Sequence, residues 1–140
     1  MGPPWSEATG QHTAAIVVRN GSASPCSLDG YPRLELRDSS GRVLAFRFSH
    51  AGDQMVTSAR PRRVTVRGGG RAFFVLNKYR CDIRSSAAAR FLRVLLPGSR
   101  QWLRLRLPRY PILDYCAAER VSLKVAVSPV VSALREAGAR

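Results

Sequence analysis

The chain has 140 residues, 45% of them hydrophobic, which suits one globular domain with a real core and is too apolar for disorder. No uninterrupted apolar run approaches the roughly 18 residues that span a bilayer. The formal net charge is +14, and of 23 basic residues all but Lys78 and Lys124 are arginine, so the chain is drawn to polyanions in general. The arginines are scattered along the sequence rather than blocked, which singles out no one polyanion.

The segment 1–10 (MGPPWSEATG) reads as irregular. It has no basic n-region and no apolar h-region, which taken alone points to a cytoplasmic chain. Thr13 to Arg19 is rich in β-branched residues and predicts a strand. Asn20 to Pro32 (NGSASPCSLDGYP) then holds two glycines, two prolines and Cys26, with Leu28 and Tyr31 as an anchoring pair.

Arg33 to Asp38 alternates with period two, placing Leu34 and Leu36 inward and Arg33, Glu35 and Arg37 outward. Ser39-Ser40-Gly41 predicts a hairpin connection in which Gly41 supplies a positive φ. The return strand is expected over Arg42 to Phe48, with Leu44, Phe46 and Phe48 on one face. Ser49 to Arg60 shows no period and reads as a polar loop. Arg62 to Arg67 predicts a short strand with Val64 and Val66 inward, and Gly68-Gly69-Gly70 a tight turn.

Ala72 to Asn77 is continuously apolar up to its last residue, as expected of a strand buried on both faces. Lys78 to Ala89 reads as a loop around Cys81, with one helical turn expected over Ser85–Ala89. Ala89 to Leu96 predicts a strand with Leu92, Val94 and Leu96 inward, and Pro97-Gly98-Ser99 a turn. Gln101 to Leu107 alternates most clearly: Leu103, Leu105 and Leu107 inward, Trp102, Arg104 and Arg106 outward. Pro108 to Glu119 is a proline-interrupted connection containing Cys116. Val121 to Val127 is the last expected strand, Pro129 stops it, and 131–140 reads as a polar tail that could hold a helical turn.

About eight short strands, spaced roughly 8–15 residues apart with Gly, Pro and Ser turns, predict a single all-β antiparallel sandwich over residues 1–140, with a barrel as the next choice. No internal repeat or linker interrupts it.

Few residues in the sequence suggest chemistry. The three cysteines Cys26, Cys81 and Cys116 form no C-x-x-C pair, and His12 and His50 stand far from them, so no metal centre is expected. Either one thiol is free or its partner lies outside the chain. His12 and His50 fall in different loops, and Asp29, Asp53, Asp82 and Asp114 are scattered, with no nucleophile elbow. The glycine triplet lacks the Lys-Ser/Thr of a phosphate loop. Asn20-Gly21-Ser22 matches a glycosylation sequon that a turn sequence also produces by chance. No catalytic residue, metal or cofactor is therefore expected. The one surface with a functional look is Trp102, Arg104 and Arg106 on the outward face of a strand, joined by Arg93 on its neighbour. Aromatic and Arg side chains on an exposed sheet can bind nucleic acid or sugars, and alternating Arg is also what a solvated strand needs.

Taken in order, several motifs resemble one family. They are Asn20-Gly21-Ser22, then Cys26-Ser27-Leu28-Asp29-Gly30-Tyr31-Pro32, then a strand ending in Asp38 before a glycine turn. Gly68–Gly70, Lys78-Tyr79-Arg80-Cys81-Asp82, Leu96-Pro97-Gly98, Cys116 and Val127-Ser128-Pro129-Val130 follow. The set resembles the actinobacterial secreted family DUF4232, a domain of unknown function. The Gly68–Gly70 turn lacks the proline that the family places before its glycines. The resemblance covers residues 9–130 and implies an immunoglobulin-like sandwich, exported or lipid-anchored outside the cell, with no assigned activity.

It further implies that Cys81 and Cys116 form a disulfide, worth about 3–4 kcal/mol by chain entropy in an oxidising compartment. It leaves Cys26 unpaired, as a structural rather than a reactive thiol. In the family another cysteine and strand precede the region of Ala8 to Arg19. Met1 is accordingly read as an internal methionine, with the signal segment, the first strand and the partner of Cys26 expected upstream. Two functions stay open: a non-enzymatic binding domain at the cell envelope, with an anionic polymer or a protein as partner, or an intracellular nucleic-acid-binding module using the Arg/Trp face.

Overall fold

The computed structural model describes residues 6–8, 10–82, 87–108 and 113–138. In chain order the elements are β1 (Ser6–Ala8), β2 (Gln11–Arg19), β3 (Cys26–Leu28), β4 (Arg33–Arg37), β5 (Arg47–Ser49), β6 (Val64–Val66), β7 (Arg71–Tyr79), β8 (Ala87–Ala88), β9 (Phe91–Leu95), β10 (Trp102–Arg106), β11 (Asp114–Tyr115), α1 (Arg120–Leu123) and β12 (Lys124–Val127). A five-stranded sheet, β1-β2-β7-β12-β5, faces a three-stranded sheet, β10-β9-β4; the pairs β3-β6 and β8-β11 close the ends. All pairings are antiparallel except β5 with β12. The protein is an all-β sandwich.

The core follows from the period-two pattern. Ala14 and Ile16 of β2, Phe74 and Leu76 of β7, and Val125 and Val127 of β12 meet Leu36 of β4 and Leu92 and Val94 of β9 between the sheets. β7 lies in the middle of its sheet, so its opposite face is also covered. There Val75 packs with Val56, Ala126, Val131 and Ala137. That second layer explains the unbroken apolar run of β7. A third cluster, Leu28, Val64, Val66, Ala72 and Val130, fills the end under β3 and β6.

Several expectations are corrected. The N-terminal segment is not wholly irregular, because β1 pairs with β2 from Ser6↔Thr13 to Ala8↔Gln11 at the edge of the five-stranded sheet. The hairpin after β4 closes only as far as the Arg37↔Val43 bridge. Phe46 N–H then bonds Leu44 O at 2.8 Å, a γ-type reversal that carries the chain into the other sheet. Leu44 and Phe46 remain buried, but Phe48 is 37% exposed. Leu103, expected inward, is 45% exposed because β10 is the edge strand of its sheet.

Ala87–Ala88, placed in a helical turn by the sequence, pairs as β8 with β11; Ser85 and Ser86 lie outside the described residues. Val121–Leu123 is helical rather than extended. A turn closed by Glu119 N–H on Cys116 O, in which Ser122 Oγ donates back to Glu119 O, delays strand entry to Lys124. The glycine triplet turns, with φ 75° at Gly69, yet joins β6 and β7 of different sheets instead of closing a hairpin. The C-terminal segment holds the expected helical turn, at Leu134–Glu136, but it packs on the sandwich and is not simply a polar tail. Val131 exchanges both backbone hydrogen bonds with Phe73, Gly138 bridges Val56, and Ala137 is fully buried.

Candidate functional site

The register of β4, β9 and β10 brings three rows of side chains onto the outer face of the smaller sheet. The rows are Arg33–Leu95–Trp102, Glu35–Arg93–Arg104 and Arg37–Phe91–Arg106. Alternation dictates this, since the residues between them lie on the opposite face of the sheet. Of the residues expected on this face, Arg93, Trp102, Arg104 and Arg106 are all brought together. Arg33, Glu35, Arg37 and Phe91 join them. Their outward alternation is legible in the sequence, but only the register shows that they share a surface.

Five guanidinium groups thus stand against one carboxylate. Arg37 donates to Glu35 through Nε at 2.7 Å and Nη2 at 2.6 Å, and Arg93 Nη1 reaches the same oxygen at 3.3 Å. The hydrogen bond from Arg37 holds the Glu35 carboxyl below its ordinary range, against desolvation and with help from Arg93. Two more contacts run diagonally. Arg93 lies 4.8 Å from the Trp102 ring centroid and Arg104 lies 4.1 Å from that of Phe91. Each guanidinium is held over a ring by cation–π attraction. The consequence is chemical: cations are pre-positioned on the sheet, while one face of each ring that could stack a nucleic-acid base is already covered.

The cysteines are arranged as the resemblance implied. Cys81 and Cys116 form a disulfide with Cα atoms 6.2 Å apart, within the normal range for a bridge. Glu119 lies close to both sulfurs, but the bridge consumes the thiolates that a metal would need, and the Glu119 carboxylate accepts Asp82 N–H at 3.1 Å. Cys26 is free and exposed on β3, not packed into its turn.

The turn Asn20–Pro32 is organised by Asn20. Its amide nitrogen donates to Ser24 O at 2.8 Å and Val66 O at 2.9 Å, and its Oδ1 accepts from Ser22 N–H and Oγ–H. The sequon match is therefore a turn whose amide nitrogen is already engaged. Leu28 and Pro32 are buried, and Gly30 has φ 126°, a conformation that only glycine adopts freely. Tyr31 is half-buried and stacks on His50 with ring centroids 3.7 Å apart. Partial burial lowers the His50 pKa and favours the neutral ring of that stack.

One ionic site was missed. Lys78 is fully buried, with Nζ donating to Asp114 Oδ1 at 2.7 Å and Tyr79 O at 2.6 Å, while Asp114 Oδ2 accepts Cys81 N–H at 2.9 Å. Nothing local marks the pair, which is 36 residues apart in the chain. It ties the disulfide corner to the central strand.

A family model described as Domain of unknown function (DUF4232) matches residues 4–131. No curated protein and no solved structure matches the chain. Among the described residues no helix is long and apolar enough to cross a membrane.

Proposed function

We propose, from the premise that this chain belongs to the DUF4232 family, that it is a non-catalytic, extracytoplasmic binding domain of the bacterial cell envelope. Its ligand is an anionic envelope polymer, taken by the outer face of β4, β9 and β10. The observation that carries this reading is the set of five guanidinium groups on one sheet face, two of them held over the Trp102 and Phe91 rings. A regular row of cations on a rigid sheet suits a repeating polyanion, because ordering the protein costs little entropy on binding. The Cys81–Cys116 bridge supports an oxidising compartment. The covered ring faces give base stacking no advantage, so the nucleic-acid reading gains nothing.

The test is retention on immobilised heparin and poly-glutamate across a salt series. Replacing Arg33, Arg104 and Arg106 with Ala should flatten the dependence of log affinity on log salt by roughly two to three units. Glu35→Gln should act in the opposite direction, raising retention by releasing Arg37 and Arg93 from their carboxylate. A wild-type chain that flows through at low salt, or a Glu35→Gln variant that binds less, would sink the proposal.

A further inference from the structure

The polar loop after β5 and the C-terminal segment, the two stretches with the least pattern in the sequence, enclose a cleft of about 760 Å³. Hydrogen bonds fasten residues 53–57 of one wall and 130–131 of the other. Asp53 Oδ1 accepts Met55 and Val56 N–H at 2.8 Å, and its Oδ2 accepts the Asn77 amide at 2.9 Å, which fastens the loop to β7. Thr57 N–H bonds Ala137 O, and Val56 bridges Gly138. Gly52, at φ 78°, sits so close to Ser58 that a Cβ would fall 2.8 Å from its backbone nitrogen. The opposite wall is held by the paired hydrogen bonds of Val131 with Phe73 and by Val130 N–H on Gly30 O.

Three arginines line this cleft: Arg60, Arg62 and Arg63, from one four-residue segment stiffened by Pro61. None has a carboxylate partner among the described residues. The two acids that also line the cleft accept hydrogen bonds from neutral donors. Asp53 is engaged as above, and Glu136 Oε1 accepts Ser132 Oγ–H and Ala133 N–H, each at 2.9 Å. The floor between them is apolar, formed in part by Val56, Val64 and Val130.

A concave site in which three guanidinium forks outnumber two hydrogen-bonded carboxylates has a definite chemistry. Arg forks match tetrahedral oxyanions in two-point contact, and hydrogen-bonded walls reduce the entropy lost on binding. We infer that the cleft is a binding site for a phosphate-type oxyanion carrying at least two negative charges. That group is either a free small molecule or a pendant group of a polymer. The site shares no residue with the sheet face proposed above, so each stands or falls alone.

The experiment titrates the full chain with pyrophosphate and, separately, with long-chain polyphosphate at fixed low salt, by calorimetry. Three variants accompany the wild type. The first carries Arg60→Gln, Arg62→Gln and Arg63→Gln. The second changes Arg42, Arg71 and Arg100 to Gln, lowering the net charge equally away from the cleft. The third changes the three cleft arginines to Lys. All exchanged side chains are exposed, and ligand-free melting confirms folding. The expected result is saturable 1:1 pyrophosphate binding, weakened by roughly tenfold or more in the cleft Gln variant, by less than about threefold in the charge control, and to an intermediate extent in the Lys variant. Tighter binding of polyphosphate than of pyrophosphate per mole of site identifies a polymer source, and equal affinity a free ligand. Absence of saturable pyrophosphate binding, or equal weakening in the cleft and control variants, overturns the inference by reducing it to a net-charge effect.

Discussion

Replacing Asp114 with Ala should be among the most damaging single changes in this protein. Lys78 has a side chain with no solvent exposure, and Asp114 shows 15%. Without the carboxylate, the Lys78 ammonium loses its ion-pair partner and keeps the Tyr79 carbonyl as hydrogen-bond acceptor, and Cys81 N–H loses its acceptor. Breaking a buried pair from one side costs about 3–5 kcal/mol, whereas an exposed pair is worth less than about 1 kcal/mol. The double replacement Lys78→Met with Asp114→Leu should recover most of that loss, because no buried charge remains. Urea unfolding of the wild type, Lys78→Met, Asp114→Leu and the double variant forms a double-mutant cycle that measures the coupling directly, with Asp114→Ala measured beside it.

The pH dependence has a fixed sign. Desolvation pulls the Lys78 pKa below its ordinary 10.5, opposed by Asp114 and Glu119. As pH rises toward 10.5 the unfolded chain holds more protons at this group than the folded one, so the stability contribution of Lys78 increases. For Asp114, desolvation alone would raise the pKa, but the hydrogen bonds from Lys78 and Cys81 and the charges of Lys78 and His12 bring it below 3.8. Its contribution is present above 3.8 and is lost as pH falls through the lower folded value. An Asp114→Ala variant destabilised by less than about 1 kcal/mol would refute the account of a desolvated, mutually dependent pair.

The disulfide closes a loop with a sequence separation of 35, so changing both Cys81 and Cys116 to Ser should cost about 3.8 kcal/mol by the chain-entropy relation, read as a lower urea midpoint than that of the oxidised wild type. Unchanged stability after reduction would show that the 81–116 corner is held by its other contacts. Asn20→Ala should cost about 1–2 kcal/mol by removing the donor that binds the 24 and 66 carbonyls. Asn20→Asp should cost more, since it sets a carboxylate against those same carbonyls; the reverse order in thermal melts would mean that the turn is held from elsewhere.

The strand interiors were legible because a half-buried strand must alternate. Leu36, Leu92 and Val94 point inward and Arg93, Arg104 and Arg106 outward, and the continuous apolar run of β7 announced its central place. The sequence failed where local preference and tertiary demand part. Val121 has a strand former's side chain but lies in a helical turn, because the disulfide at Cys116 and the turn after it set where the chain can join β7. Phe48 continues the alternation of its neighbours and is still exposed, because the chain leaves one sheet for the other at Phe46.

What the sequence alone determined was composition, periodicity and turn chemistry: an all-β domain, strongly basic, with an arginine-bearing outward face. Those properties reside in neighbouring residues, within reach of a period of two or a turn of four. Tertiary structure decided which faces meet. It placed Arg33, Glu35 and Arg37 beside Arg93 and Arg104, buried Lys78 against Asp114, and folded an unpatterned loop and the C-terminal segment into the walls of an arginine-lined cleft. Each of these joins residues tens of positions apart. Their proximity follows from sheet register and core burial, which no local pattern encodes.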